Sequence, residues 1–254
     1  MENKALAPTG NNQALDEQRA LMNKALERLG LVRRETSKAQ RVLGAGRLIV
    51  ALDLTGSRAE SLKQAQKATA AMFTAIKTVG AVAVKLAYFR GCECKAGAWQ
   101  DDAERVTGAM LSLSCVTGNT QIGRVLKLAL AEKERLSGVV FVGDHCEESA
   151  NELLNLAATL GKRSIPLFIF HEVVDYDTRA LDVRPLFQQM AKSSGGVYSE
   201  FRPDSSEVMR ELLSTVAAFS AAGHEGVKQV AQPVTAAARQ LQSSLLLLPA
   251  AKGK

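Results

Sequence analysis

Aromatic side chains are scarce in this chain of 254 residues: eight Phe, three Tyr and one Trp. A nucleic-acid binder that stacks bases interleaves such rings with its basic residues, and that pattern is missing. Four cysteines are too few for a disulfide-stapled scaffold and suit a reducing cytoplasm. Three histidines leave little material for a Ser-His-Asp or Cys-His arrangement, and none is legible. No apolar run approaches the roughly 20 residues that span a bilayer; at the C-terminal end the longest is Leu245 to Leu248. The first residues, MENKALAPTGNNQALDEQ, are polar and lack the apolar stretch of a secretory signal. With 46% hydrophobic and 23% charged residues, the composition excludes a disordered or collagen-like chain. The expectation is a soluble, cytoplasmic protein with one core.

The net positive charge sits at the ends. Residues 1–48 carry nine Lys/Arg against five Asp/Glu, and residues 224–254 carry four against one. The middle is almost balanced, with nineteen against twenty. Neither basic end contains a Phe, Trp or Tyr, so both read as solvated helix faces and not as a nucleic-acid surface. Within 13–42, Leu15, Met22, Leu26 and Leu29 fall on one helical face.

From residue 47 the pattern changes. RLIVALDL (47–54) is a continuous apolar run, short for a helix and typical of a strand buried on both faces. An Ala- and Lys-rich helix is expected at 58–79, then a strand at 81–89 and a short antiparallel edge strand at Lys95–Trp99. Helices at 101–113 and about 122–135 precede the strand GVVFVGD (138–144). Helix 149–160, strand IPLFIF (165–170), helix 178–193, strand VYSEF (197–201) and helix 205–221 complete the series. Strands alternating with helices imply a doubly wound, mostly parallel α/β sheet with helices on both faces. The organisation expected is an N-terminal helical extension (1–46), an α/β domain (47–222) and a C-terminal helical tail (223–254). Gly223 and Pro233 open the tail, whose stretch LQSSLLLL reads as packing on the core or on a second subunit, not on a membrane.

In open parallel sheets, ligands bind beyond the carboxyl ends of the strands. There the sequence supplies Asp53-Leu54-Thr55-Gly56-Ser57, then Thr117-Gly118-Asn119-Thr120, then Gly143-Asp144-His145. Two carboxylates and several hydroxyls arrive at one edge; all are hard oxygen donors, suited to magnesium or manganese and poorly to zinc. No Gly-x-Gly-x-x-Gly fingerprint follows the first strand.

These segments resemble the von Willebrand factor A domain. ALDLTGS is similar to its Asp-x-Ser-x-Ser motif, with Thr55 in the first Ser position and the hydroxyl kept. GNTQIGRVLKLAL resembles its Gly-Gly-Thr-Asn-x-Gly segment, and VVFVGD the strand ending in its second metal-site Asp. VAVKLAYF resembles its second strand, and the likeness runs over about 47–222. The resemblance implies a metal-ion-dependent adhesion site. Thr55, Ser57 and Thr120 would contact Mg2+ directly, with Mn2+ or Ca2+ as alternatives, while Asp53 and Asp144 act largely through water. Neutral ligands leave the cation much of its attraction for an outside anion, so an acidic side chain of a partner protein can replace a bound water. The function implied is a non-catalytic intracellular scaffold that binds a protein partner.

Other readings remain beside it. DLTGS also resembles the haloacid-dehalogenase motif Asp-x-Thr-Gly-Thr, which would make Asp53 the nucleophile of a magnesium-dependent phosphatase, with Thr117 as its hydroxyl and Asp144 on the metal. Against that, a helix of about 20 residues is expected where that superfamily inserts a flap. GDHCEES offers only Glu147 or Glu148 for its second Asp. A third reading is a structural module that self-assembles into homo-oligomers through its two ends. Cys92, Cys94, Cys115 and Cys146 lack the paired spacing of a zinc ribbon and read as buried or idle thiols, with a redox role open to Cys115 and Cys146. His145 reads as a lone exposed side chain, and His171 as a hydrogen-bonding residue at a strand end.

Overall fold

In the computed structural model the described residues are 46–56, 62–63, 82–173, 182–202, 205–230 and 232–248, all within one compact unit, Val42–Lys254. The expected helix at 13–42 and Ser57 lie outside them. So does the 58–79 helix, apart from a helical Leu62 and Lys63.

Six strands form one sheet: β1 (Gly46–Asp53), β2 (Val82–Arg90), β3 (Glu93–Gln100), β4 (Gly138–Gly143), β5 (Leu167–Glu172) and β6 (Tyr198–Phe201). Their spatial order is β3-β2-β1-β4-β5-β6. Every pairing is parallel except β2 with β3, which joins the antiparallel edge strand expected near Lys95–Trp99. The order reverses direction between β1 and β4, and at such a switch point the connections diverge and open a crevice beyond the carboxyl ends.

The apolar runs become strands because both faces of the central sheet are covered. Side chains alternate across a strand, so Leu48, Val50 and Leu52 of β1 face one layer while Ile49 and Ala51 face the other. The first layer contains Val106 and Met110 of α1 (Ala103–Leu111) and Met209, Leu212, Leu213 and Val216 of α5 (Ser206–Gln229). The second contains Ile122, Val125 and Leu126 of α2 (Ile122–Ala131), Leu153 and Leu160 of α3 (Ala150–Lys162), and Phe187 and Met190 of α4 (Arg184–Ser194). This is the doubly wound α/β sheet with helices on both faces.

The break expected at Gly223 is a kink inside α5, where Gly223 takes φ 59°. α6 (Ala236–Leu247) then returns to the domain. Ala238, Leu241 and Leu245, at helical spacing, bury into the first layer, so the tail packs on the core. Among the described residues no helix is long and apolar enough to cross a membrane.

Candidate functional site at the carboxyl edge of the sheet

Four of the five candidate metal ligands lie in the described residues, and all four are buried: Asp53 is 1% exposed, Thr55 4%, Thr120 5% and Asp144 6%. Burying carboxylates and hydroxyls costs free energy unless they have polar company, so this concentration at one edge needs a reason. Asp53 closes β1, and its Oδ1 accepts the Thr55 N–H at 2.8 Å, which turns the chain immediately after the strand. Leu52 pairs with Val142 of β4, so Asp144 falls one residue beyond the level of Asp53 on the adjacent strand. The two carboxylates therefore flank the switch point.

Thr120 reaches the same edge through the loop between α1 and α2, which is stitched to its neighbours by backbone. The Val116 N–H donates to the Leu54 carbonyl (3.0 Å), and the Gly91 N–H to the Val116 carbonyl (3.3 Å). The Gln121 amide donates to the Gly91 carbonyl (2.9 Å). Gly118 crosses Gly91 so closely that a Cβ at 118 would lie 2.4 Å from the Gly91 Cα, and Gly91 itself has φ 50°. Two glycines allow the crossing, and the crossing sets where Thr120 stands.

The loop after β4 contributes more than Asp144. Both the N–H and the hydroxyl of Thr120 donate to Glu147 Oε2 at 2.9 Å, and the Glu147 N–H donates back to the Thr120 hydroxyl oxygen at 3.1 Å. His145 stands between two carboxylates, with Nδ1 3.3 Å from Asp144 Oδ2 and Nε2 3.3 Å from Glu147 Oε1. Its side chain is only 12% exposed, which corrects the reading of His145 as an exposed residue; a carboxylate on either side makes the buried position tolerable. The hydrogen bond to Asp144 raises the His145 pKa above its ordinary value; burial opposes the shift, and the charges of Asp144, Glu147 and Asp53 assist it. Glu147 is held below the usual carboxylate range: burial resists, but the N–H and hydroxyl of Thr120 and the charge of His145 outweigh it.

Glu148 has a different task. Its carboxylate accepts the N–H groups of Ile122 and Gly123, the latter at 2.8 Å, and so caps α2, whose N-cap residue Gln121 makes no side-chain capping bond. His171 is the strand-end hydrogen-bonding residue expected from the sequence. Its Nε2 donates to the Asp144 carbonyl (2.8 Å), and its Nδ1 lies 2.7 Å from the Tyr198 hydroxyl. Tyr198 donates onward to Glu200 (2.8 Å), which pairs with Arg184 (2.6 Å). Burial lowers the His171 pKa, and the ring's bond to the Asp144 carbonyl buttresses that backbone. Burial pushes the Cys146 thiol up to about 11, which gives it no thiolate character near neutral pH.

The sequence pointed to Asp53, Thr55, Thr120 and Asp144 at this edge and weighed Glu147 only as a phosphatase carboxylate; it did not single out Tyr198, Glu200 and Arg184, which support the Asp144 backbone through His171. The pair Glu147-Glu148 straight after the Asp144 loop was the available signal. Among the described residues no three His, Cys, Asp or Glu side chains are grouped to hold a metal ion. The donor set is mixed instead, two carboxylates with the Thr55 and Thr120 hydroxyls, and its all-oxygen chemistry fits a hard divalent cation.

Solved structures share this architecture. The conserved hypothetical protein BatB from Bacteroides thetaiotaomicron aligns with a TM-score of 0.54 at 16% identity, over 68% of this chain and 98% of that one. A von Willebrand factor type A protein from Catenulispora acidiphila aligns with a TM-score of 0.52 at 15% identity, over 69% of this chain and 43% of that one. The chain has the von Willebrand factor A fold. Proximal thread matrix protein 1 of the mussel byssus, with a zinc-occupied metal-ion-dependent adhesion site motif, aligns with a TM-score of 0.52 at 13% identity, over 68% of this chain and 46% of that one. At such identities the likeness speaks for the fold alone. No protein-family model matches the chain, and neither does any curated protein.

Proposed function

We propose that this von Willebrand factor A fold serves as a non-catalytic, intracellular protein-binding module whose partner is taken through a magnesium site at Asp53, Thr55, Ser57, Thr120 and Asp144. The observation that supports it best is the convergence of four buried oxygen-bearing side chains from three separate loops on the switch point of the sheet. Capping a single helix would account for one of them; it leaves the other three without a reason.

A bound divalent cation would supply an open coordination position for an outside carboxylate. The chain's own residues prepare the place. Asp53 and Asp144 bring negative charge to the carboxyl ends of adjacent strands, and His145 stands beside Asp144 with Nδ1 3.3 Å from its Oδ2. Asp53 fixes the Thr55 backbone through its N–H, and the Gly91–Gly118 crossing delivers Thr120. His171 pins the backbone at Asp144. An acidic side chain is the partner chemistry that matches a cation held largely by neutral hydroxyls.

Thermal-shift titration with magnesium and manganese tests the reading, comparing wild type with Asp53→Ala and Asp144→Ala. A ligand that binds only the folded state stabilises it by RT ln(1 + [L]/Kd), about 2.7 kcal/mol at a hundredfold excess over Kd. Wild type is expected to shift upward and both variants to stay flat. A flat wild type would remove the metal from the proposal.

A further inference from the structure

We infer that Glu147 is a positioning residue of this metal site, fixing the Thr120 hydroxyl with its proton turned away on a carboxylate and its oxygen left as an acceptor. The inference rests on the metal-site reading above and adds a residue that the adhesion-site motif does not contain. A threonine hydroxyl has one proton and two lone pairs, and its proton ordinarily rotates to suit its surroundings. A hydroxyl can ligate a cation only through oxygen, so a proton that swings toward the cation costs binding. Here the proton is committed, because Thr120 Oγ1 donates to Glu147 Oε2 at 2.9 Å.

Three further contacts make that commitment rigid. The Thr120 N–H donates to the same Oε2 (2.9 Å), so the carboxylate cannot follow the hydroxyl without losing a backbone bond. The Glu147 N–H donates to Thr120 Oγ1 (3.1 Å) and takes one lone pair. The far oxygen of the carboxylate lies 3.3 Å from His145 Nε2. Glu147 is thus held through Oε2 and its own N–H although its side chain is 49% exposed. A carboxylate that accepts a ligand's proton also makes the ligand oxygen more electron-rich, which is how outer carboxylates tune metal ligands. Removal of such partners typically costs about 10- to 100-fold in metal affinity.

The test is isothermal titration calorimetry of Mg2+ and Mn2+ into the full chain, wild type against Glu147→Gln, at low and at high KCl. The melting temperature of each protein without metal reports folding. Gln keeps the size and one acceptor oxygen but loses the charge that grips the hydroxyl proton. Glu147→Gln is expected to bind about 10- to 100-fold more weakly, by a factor that persists at high salt, because a fixed proton orientation is not screened. If the factor falls below about twofold at high salt, Glu147 acts only as a field charge and the positioning role is overturned. Equal affinity of wild type and variant overturns it while leaving the metal site in place. A wild type that takes up neither metal overturns the metal site itself, and the positioning role with it. Should Glu147→Gln fail to fold, Glu147→Asp is titrated in its place, since the shorter side chain keeps the charge and loses the reach. Weaker binding then supports positioning, and wild-type affinity refutes it.

Discussion

Glu147 and Glu211 each gather the backbone N–H and the hydroxyl of a threonine on one carboxylate oxygen, Thr120 in the first case and Thr235 in the second. The local bonding is nearly the same, with distances of 2.7–2.9 Å, but the surroundings differ. Glu211 lies in α5 and takes a further N–H from Val234, so its carboxylate ties the start of α6 to α5 with neutral donors. Thr235 then spends its hydroxyl oxygen on the Ala238 N–H as the N-cap of α6. Glu147 instead shares its loop with Asp144 and His145 and faces the switch point. One clamp closes a helix corner over apolar side chains. The other spends the same hydrogen bonds to hold a hydroxyl among charges, where structure alone gains little from collecting them.

The sharpest way to break this comparison is to remove each anchor. Glu211→Ala leaves three donors at the head of α6 without their charged acceptor and is expected to cost about 2–4 kcal/mol, read by urea unfolding. Its magnesium titration should match wild type; a changed affinity would show the two regions to be coupled. Gly118→Ala comes next, at about 1–3 kcal/mol, because the new Cβ meets the Gly91 backbone and the loops must separate. That variant should also bind metal more weakly, since Thr120 lies two residues on. An unaltered melting temperature would mean that the crossing has slack and does not set the position of Thr120. Thr235→Val removes the α6 cap and one bond to Glu211, an expected loss of about 1 kcal/mol with metal uptake untouched. Equal destabilisation by Thr120→Val would make both threonines ordinary structural residues and weaken the case for a site.

The strands were legible because a central strand covered on both faces must be apolar at every position, as in RLIVALDL and GVVFVGD. β5 shows where this signal ends. IPLFIF points to residues 165–170, yet the strand runs Leu167–Glu172, carried on by a buried His171 and Glu172. Polar residues read as strand ends, and only the third dimension shows His171 anchored to the Asp144 carbonyl. The candidate ligands were legible for the opposite reason, because the hydroxyls and carboxylates stand where apolar runs stop. Glu147 was not, since its task depends on Thr120, 27 residues earlier and on another loop. Nothing in the spacing within GDHCEES tells that Glu147 turns to a threonine while Glu148 turns to a helix end.

The smallest effect expected is a pH dependence that separates the α5–α6 corner from the rest of the fold. Glu211 is held below its ordinary carboxylate pKa of 4.5: burial opposes the shift, but the Thr235 hydroxyl, the Val234 and Thr235 N–H groups and the charge of Arg210 outweigh it. A carboxylate whose folded pKa is depressed binds fewer protons in the native state than in the unfolded one. Its contribution is therefore complete above the unfolded value and is lost as pH falls through the folded one. Wild type should lose this increment on acidification below about pH 4.5, and Glu211→Gln, which cannot titrate, should show a shallower slope across the same interval. Unfolding curves of both proteins at several pH values read the difference directly. Parallel slopes would mean that Glu211 binds its proton equally well folded and unfolded, and that the corner is held by the apolar contacts of Leu241 and Leu245 more than by its clamp.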